Sequence, residues 1–437
     1  MCAGVGAVGV WQAAGGDAPP RTAATSSGSA SPTYAPSPSG SGSLPGYDDG
    51  AGTDGPLDLD IQFEGRLISA PDKLLKFAAV QDALAKGVIE EVKAPDMREQ
   101  GLIPRVLLDD GSFVVESIEG QAEPTSLTQT RTGVLAGGRV ALWPTVHVNG
   151  VDRRVPRQGE AADAFGGVVA WVETPSTDLA TDSWSVFSHR LDGQGASVPI
   201  ASSEDLLPDE LLPIKGPYIQ PSVGSSRVFW GSPYPLGSAV LTLDDLGVGI
   251  FGKDLDGRGS LDRLADGGIL PTAVGEDVVY VRVSGYDPAL PEGRFVIARR
   301  DGEAKTPEEE LVSGVLAEST QFEGMVATES HLVWALRGGS SETATSRINI
   351  LDLRSGVLSA VDVESAYGVT RLGIDGDSLV FATDAERGIV RLSDMNVYRL
   401  PDGEGLAHSL MVAGSYVSWE EAGDGPFGVL KLARITD

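Results

Sequence analysis

Apolar positions in this chain fall in short alternating runs rather than in helical stripes. From residue 165 onward one unit recurs: a small or polar residue, a β-branched residue or Leu, any residue, then an aromatic. The instances are Val169-Ala170-Trp171, Val228-Phe229-Trp230, Val278-Val279-Tyr280, Leu332-Val333-Trp334, Leu379-Val380-Phe381 and Val417-Ser418-Trp419. The aromatics stand 59, 50, 54, 47 and 38 residues apart, so one supersecondary unit repeats with loops of varying length between copies. Each instance is followed by a second run: SVFSHRLDG (185–193), AVLTLDDLG (239–247), RFVIARRDG (294–302), INILDLRSG (348–356), NVYRLPDG (396–403) and VLKLARITD (429–437). Period-two alternation closed by Asp-Gly or Ser-Gly reads as a strand and a tight turn.

Each unit therefore supplies at least a hairpin, and a four-stranded sheet is expected. Helix signals are few. Thr306-Pro307-Glu308-Glu309 starts a short helix, and Ser69 with Asp72 caps another over 70–86, ending at Gly87. Small antiparallel sheets repeated radially make an all-β propeller. The last run ends at Asp437, where the other units turn into an outer strand, and an open edge invites aggregation. A strand from upstream of residue 165 is thus expected to close the ring. That region reads as strand at 103–108, 112–118, 134–143 and 146–150, and Ser112-Phe113-Val114-Val115 echoes Ser378-Leu379-Val380-Phe381. One divergent blade plus a closing strand brings the expectation to seven blades, with six as the alternative.

The strand pattern of Ile348-Asn349-Ile350-Leu351-Asp352-Leu353-Arg354-Ser355-Gly356, preceded by Leu332-Val333-Trp334, resembles the TolB-like or WD40-like propellers of bacterial envelopes over about residues 165–437. Gly275-Glu276-Asp277 and Gly376-Asp377-Ser378 stand where the TolB-like repeats carry Ser-Pro-Asp-Gly. The resemblance implies a non-catalytic scaffold that binds a protein or a glycan. A propeller enzyme acting on glycans, with carboxylates around the channel, is the alternative.

Composition then limits the partners. The chain carries 62 Asp+Glu against 33 Lys+Arg in 437 residues, a formal net charge of -29. Such a surface repels phosphate backbones and anionic headgroups, so no nucleic-acid partner is expected and any membrane contact is through the N-terminus. The chain is expected to be a monomer. Cys2 is its one cysteine, so the fold holds by packing without a disulfide. Residues 1–14 are apolar apart from Gln12 and short of the ~20 needed to span a bilayer. They read as the stub of a membrane segment, or as a lipid-attachment region with Cys2 as the acceptor. Residues 15–57 are Gly, Ser, Pro, Ala and Thr with few large apolar residues, a composition that reads as a flexible tether. Residues 58–437 form the propeller domain, and an extracytoplasmic place in a bacterial envelope is expected.

Catalytic signatures are sparse. The sequence has no Gly-x-Ser-x-Gly elbow, no P-loop and no dinucleotide fingerprint. His147, His189, His331 and His408 have no second histidine at metal-ligand spacing. His189 and His331 lie in strand runs and read as structural. Carboxylate pairs such as Asp244/Asp245, Glu308/Glu309 and Glu420/Glu421 read as solvated faces, and no catalytic residue is assigned. The six strand aromatics read as packing between blades. One string, KDLDGRGSLDRL (253–264), has a calcium-loop layout: Asp254, Asp256, the Ser260 carbonyl and Asp262 as oxygen donors, with Gly259 at the turn. With Phe251-Gly252 ahead of it, it resembles the FG-GAP calcium loop of integrin-type propellers. Arg258 stands where that loop has an oxygen donor, and its guanidinium is expected to serve as the loop's own cation if calcium does not bind. The loop is expected after the 239–247 run, between the strands of neighbouring units.

Overall fold

The computed structural model describes residues 60–77, 80–97, 100–119, 129–143, 158–174, 184–192, 195–206, 219–237, 246–317, 320–338, 345–365, 368–384, 386–401, 410–421 and 429–436. Seven sheets, each built on a four-stranded antiparallel meander, follow one another along the chain. Blades 1 to 6 span 102–142, 158–202, 222–266, 268–315, 321–364 and 369–399. Blade 7 takes three strands from 411–435 and a fourth from the N-terminal side.

That fourth strand is the expected closure. The N-terminal segment forms β1 (Ile61–Phe63), β2 (Arg66–Ile68), β3 (Lys73–Lys76), β4 (Gln81–Asp82) and β5 (Ile89–Val92). β5 pairs antiparallel with the last strand, Val429–Ile435, from Ile435↔Ile89 to Leu432↔Val92. The first and last parts of the chain therefore share one sheet, and the ring cannot open without breaking that ladder. Before reaching blade 7 the segment runs along three other rims. The β1–β2 hairpin adds to the outer strand of blade 4, β3 pairs parallel with that of blade 5, and β4 pairs parallel with that of blade 6.

The expected helix over 70–86 is therefore replaced by rim strands β3 and β4 with turns. Leu and Ala in this stretch favour helix, but free outer edges on the blades offer main-chain partners that override a weak local preference. Phe77 and Ala83 are buried, while Leu74 remains exposed. The helix expected at 306–309 is also absent. Thr306 instead donates its main-chain N–H to Asp301 at 2.5 Å, and Glu309 opens an outer strand.

Seven hydrophobic clusters fill the seven contacts between adjacent blades. The alternation of the second strands explains this. Leu379 and Phe381 face blade 5, while Val380 and Ala382 face blade 7. Each strand is buried on both sides, so its residues are apolar in succession. Trp171, Trp230, Tyr280, Trp334, Phe381 and Trp419 occupy the same place in blades 2 to 7, each against the preceding blade and each at most 4% exposed. Full burial of each such ring stabilises the ring of blades by roughly 3–5 kcal/mol against truncation to Ala. In blade 1, Val115 stands in the corresponding strand and joins the contact with blade 7.

Two strand assignments shift. The third strand of blade 3 is Leu246–Asp254, and residues 239–245 lie outside the described ones, as do 146–150. NVYRLPDG supplies the outer strand of blade 6, Asn396–Arg399, while the third strand is Arg387–Arg391. Gly388 disguised that strand: a Cβ there would lie 2.3 Å from Phe381 Cζ. Residues 1–59, including Cys2 and the two N-terminal segments, lie outside the described residues, as do His147 and His408.

Candidate functional site

The inner strands of the blades surround the propeller axis, and several bulge at matching places. The ladder slips at Pro104/Val106 in blade 1, Gly159/Ala161 in blade 2, Ile269/Thr272 in blade 4, Phe322/Gly324 in blade 5 and Val369/Arg371 in blade 6. A bulge re-aims side chains out of the sheet alternation. Arg105 and Glu323 are the extra residues of two of these bulges, and Arg371 follows a third.

Three charged groups from non-consecutive stretches lie near enough for their charges to interact. Arg371, on the inner strand of blade 6, feels the charges of Asp163 of blade 2 and Arg105 of blade 1. Side chains from blades 6, 1 and 2 can interact in this way only across the axial channel. Arg105 donates from Nε to Glu116 Oε2 at 2.8 Å, and a second guanidinium nitrogen bonds the same oxygen. Arg371 donates from Nε to Leu410 O at 3.2 Å. Asp163 Oδ2 accepts the Val223 N–H of blade 3 at 2.7 Å. Burial pushes the Asp163 carboxyl up to about 7, against the pull of the Val223 and Ala164 N–H groups, the Ser222 hydroxyl and the Arg371 charge. Burial and the Arg105 charge lower Arg371 to about 10, which leaves it cationic at neutral pH.

Other inner-strand groups stitch neighbouring blades together. Ser222 Oγ accepts the Ala273 N–H of blade 4 at 2.9 Å. Glu323 Oε2 accepts the Val369 N–H of blade 6 at 2.8 Å and the Ser346 hydroxyl at 2.9 Å. Burial pushes Glu323 up to about 7. Asp375 Oδ2 accepts the Gly414 N–H of blade 7 at 2.5 Å, and burial raises its carboxyl as well. These acids hold main-chain donors of the next blade, where an unpaired N–H would cost about 1–3 kcal/mol. Sequence reasoning missed them because each looks like one more acid in an acidic chain.

The Asp-rich loop lies elsewhere. It joins the third and outer strands of blade 3, within one blade and not between units, because the third strand is Leu246–Asp254. Its cation is Arg227 of the second strand. Arg227 Nη2 lies 2.7 Å from Asp262 Oδ2, and Nε lies 3.4 Å from Asp254 Oδ1. The same guanidinium also donates to Gly252 O at 3.0 Å and to Gly302 O. Arg258 is 87% exposed and only 3.8 Å from Asp256 Oδ2, so the expectation that it serves as the loop's cation is corrected. Ser260 lends its hydroxyl to Asp262 Oδ1 at 2.6 Å, and Asp256 Oδ1 accepts the Arg258 N–H at 2.9 Å. Calcium among these donors would have to displace the guanidinium. Among the described residues no three His, Cys, Asp or Glu side chains converge as a metal-ligand set.

His189 stacks on Trp143 at 4.4 Å, and burial lowers its pKa. His331 Nδ1 is 2.9 Å from Ser330 Oγ, and burial lowers it too. Both serve packing. Glu308 pairs with Arg282 at 2.8 Å and takes the Tyr280 hydroxyl, and Glu421 pairs with Lys431 at 3.1 Å.

The architecture defines the class: an all-β, seven-bladed propeller closed by an N-terminal strand. Among solved structures the chain is similar to the acylaminoacyl peptidase of Pyrococcus horikoshii, at 12% identity and TM-score 0.48, over 79% of this chain and 54% of that one. It is also similar to the tricorn protease, at 9% identity and TM-score 0.37, over 71% and 36% of the two chains. An uncharacterized protein of Listeria monocytogenes matches at 8% identity and TM-score 0.32, over 71% and 98%. The chain spans about a third to a half of the length of the first two. No protein-family model and no curated protein matches it.

Proposed function

We propose that this propeller is a non-catalytic binding scaffold, held at a bacterial envelope surface through its N-terminus and presenting one face to a protein or glycan. The observation that carries this reading is the use of the inner-strand acids. Asp163, Glu323 and Asp375 each hold a main-chain N–H of the neighbouring blade, so they act as fasteners of the ring. The binding face is the one with long connections. Second and third strands are joined through 284–293 in blade 4, whereas the other face carries turns such as Gly166-Gly167 and Gly275-Glu276. Recognition residues concentrate on long loops carried by a rigid frame. The tether rests on residues 1–57, with Cys2 as lipid acceptor or residues 1–14 as a membrane stub, and the envelope propellers of the TolB-like and WD40-like kind remain the pattern it resembles.

The test is capture on the immobilised full chain of purified cell-wall glycans and envelope proteins. Saturable retention that survives 0.5 M salt (about 4 Å Debye length) supports the reading; retention that vanishes with salt points to charge alone and refutes it. A second reading, a glycan-cleaving propeller, draws on one observation: Asp163 and Glu323 both titrate near neutrality, as a general acid or base requires. Glycan turnover that disappears in Asp163→Asn or Glu323→Gln would favour it.

A further inference from the structure

The loop 284–293, which joins the second and third strands of blade 4, is tied down from within while its apolar residues stay exposed. Asp287 is 5% exposed and organises it. Its main-chain N–H donates to Val283 O at 2.9 Å, its Oδ1 accepts the Ala289 N–H at 2.9 Å, and its Oδ2 takes Arg282 Nη1 at 3.1 Å. At the base of the loop Ser284 Oγ accepts the Gly293 N–H at 3.0 Å, and the Ser284 N–H donates to Arg294 O at 3.0 Å. Pro288, Ala289 and Pro291 are nevertheless exposed. The loop leans on blade 3 at Gly267, where a Cβ would lie 2.4 Å from Asp287 Cβ. The Gly267 N–H donates to Val248 O at 2.7 Å, and the adjacent Gly247 lies against the Leu236 side chain. At the other end of the loop Gly293 O accepts the Leu316 N–H at 2.7 Å, beside Val315. Leu236 and Val315 are 61% and 58% exposed, the two most exposed large apolar side chains among the described residues. One corner of the long-loop face therefore carries an apolar surface on a frame already ordered for binding.

We propose that this corner of blades 3 and 4 docks an extended segment of a protein partner, with aliphatic side chains against Leu236, the 284–293 loop and Val315, and basic residues flanking them. The inference rests on the scaffold reading above and selects protein over glycan. Sugars are held by exposed rings and clustered hydrogen-bonding groups. Here the side chains of Leu236, Pro288, Ala289, Pro291 and Val315 offer no hydrogen bond, and Tyr286 packs against the core between blades 4 and 5. Charge sets the flanks. The exposed acids Asp60, Asp266 and Glu292 border the corner, Asp60 through its carbonyl against Gly314. Arg263 pairs with Asp266 at 3.2 Å, and Arg294 is half-buried. With a formal charge of -29 on the whole chain, a basic segment is drawn in and a second copy of the chain is repelled.

The experiment pans a random-peptide phage library against the immobilised full chain and titrates the enriched peptides in solution by fluorescence anisotropy. Enriched peptides are expected to carry Leu, Ile or Val beside Lys or Arg. Leu236→Ser and Val315→Ser are each expected to weaken them at least tenfold, whereas Val140→Ser, at an exposed site on blade 1, leaves affinity unchanged. All three sites are exposed, so the fold is expected to persist, checked by circular dichroism. Should Leu236→Ser not fold, Val315→Ser decides alone. No enrichment over the bare support overturns the proposal. Peptide binding that ignores both serine variants overturns the corner and leaves the scaffold reading standing. Glycan retention lost in Leu236→Ser puts a glycan there, and a dimer in sedimentation velocity that Leu236→Ser dissociates puts a second copy there; each overturns the peptide assignment. The scaffold reading itself falls when peptides, envelope proteins and glycans all fail to be retained.

Discussion

Replacing Arg227 by Met should make the protein's stability respond to calcium. Arg227 is 4% exposed and bridges Asp254 and Asp262 while capping Gly252 O and Gly302 O. Met fills similar volume without the charge. The two carboxylate side chains are 48% and 33% exposed, so water screens their pairing and each contributes at most about 1 kcal/mol. The two lost carbonyl bonds add about 1 kcal/mol each. The sum is about 2–4 kcal/mol, or roughly 3–5 °C in Tm for a domain of this size. Asp254 and Asp262 then lack their cation, and millimolar calcium should restore part of the loss. Wild type should be unmoved by calcium or chelator, and Arg258→Ala should shift Tm by less than about 1 °C because the side chain is solvated. Differential scanning fluorimetry decides the matter. A calcium-dependent rise in wild-type Tm, or a calcium-blind Arg227→Met, refutes the reasoning.

Three further expectations follow from the packing. Removing residues 1–59 should leave Tm unchanged, whereas removing residues 1–92 strips the rim strands and opens blade 7; light scattering should show the shorter chain aggregating. Gly388→Ala should cost about 1–3 kcal/mol in a urea titration, since the new methyl would meet Phe381 at 2.3 Å and Phe77 at 2.8 Å; a cost near zero would show that the rings yield. Asp163 and Glu323 start near 4 when unfolded and titrate at about 7 in the fold, so between those values the folded chain binds more protons. Stability should therefore fall as pH rises from 4 to 7 and level off above. Self-repulsion of the acidic chain acts in the same sense, so Asp163→Asn/Glu323→Gln isolates the carboxyl contribution by flattening the slope; an unchanged slope contradicts the assignment.

The repeat was legible because the second strands are buried on both sides and those of blades 2 to 7 carry one large ring at a fixed place. Closure was legible in the strand runs upstream of residue 165, and the ladder of β5 with Val429–Ile435 supplies it. The rim segment was not: Ser69 with Asp72 and then Gly87 mark the ends of a helix, and what makes β3 and β4 strands is the free edge of blades far along the chain. The Asp loop was legible as a cation seat, but its occupant comes from Arg227 on a neighbouring strand, and no local spacing announces that. Arg371 and Asp163 escaped for the same reason, because only ring closure brings blades 6 and 2 across one axis.

The central claim is that the inner-strand acids fasten the ring and perform no chemistry. The most direct measurement incubates a cell-wall glycan mixture with the full chain and with its Asp163→Asn/Glu323→Gln variant, and quantifies by mass spectrometry both what is retained and what is cleaved. The account predicts intact glycan in both samples, with whatever is retained held equally by each. Cleavage products from the wild type that are missing with the variant would contradict it.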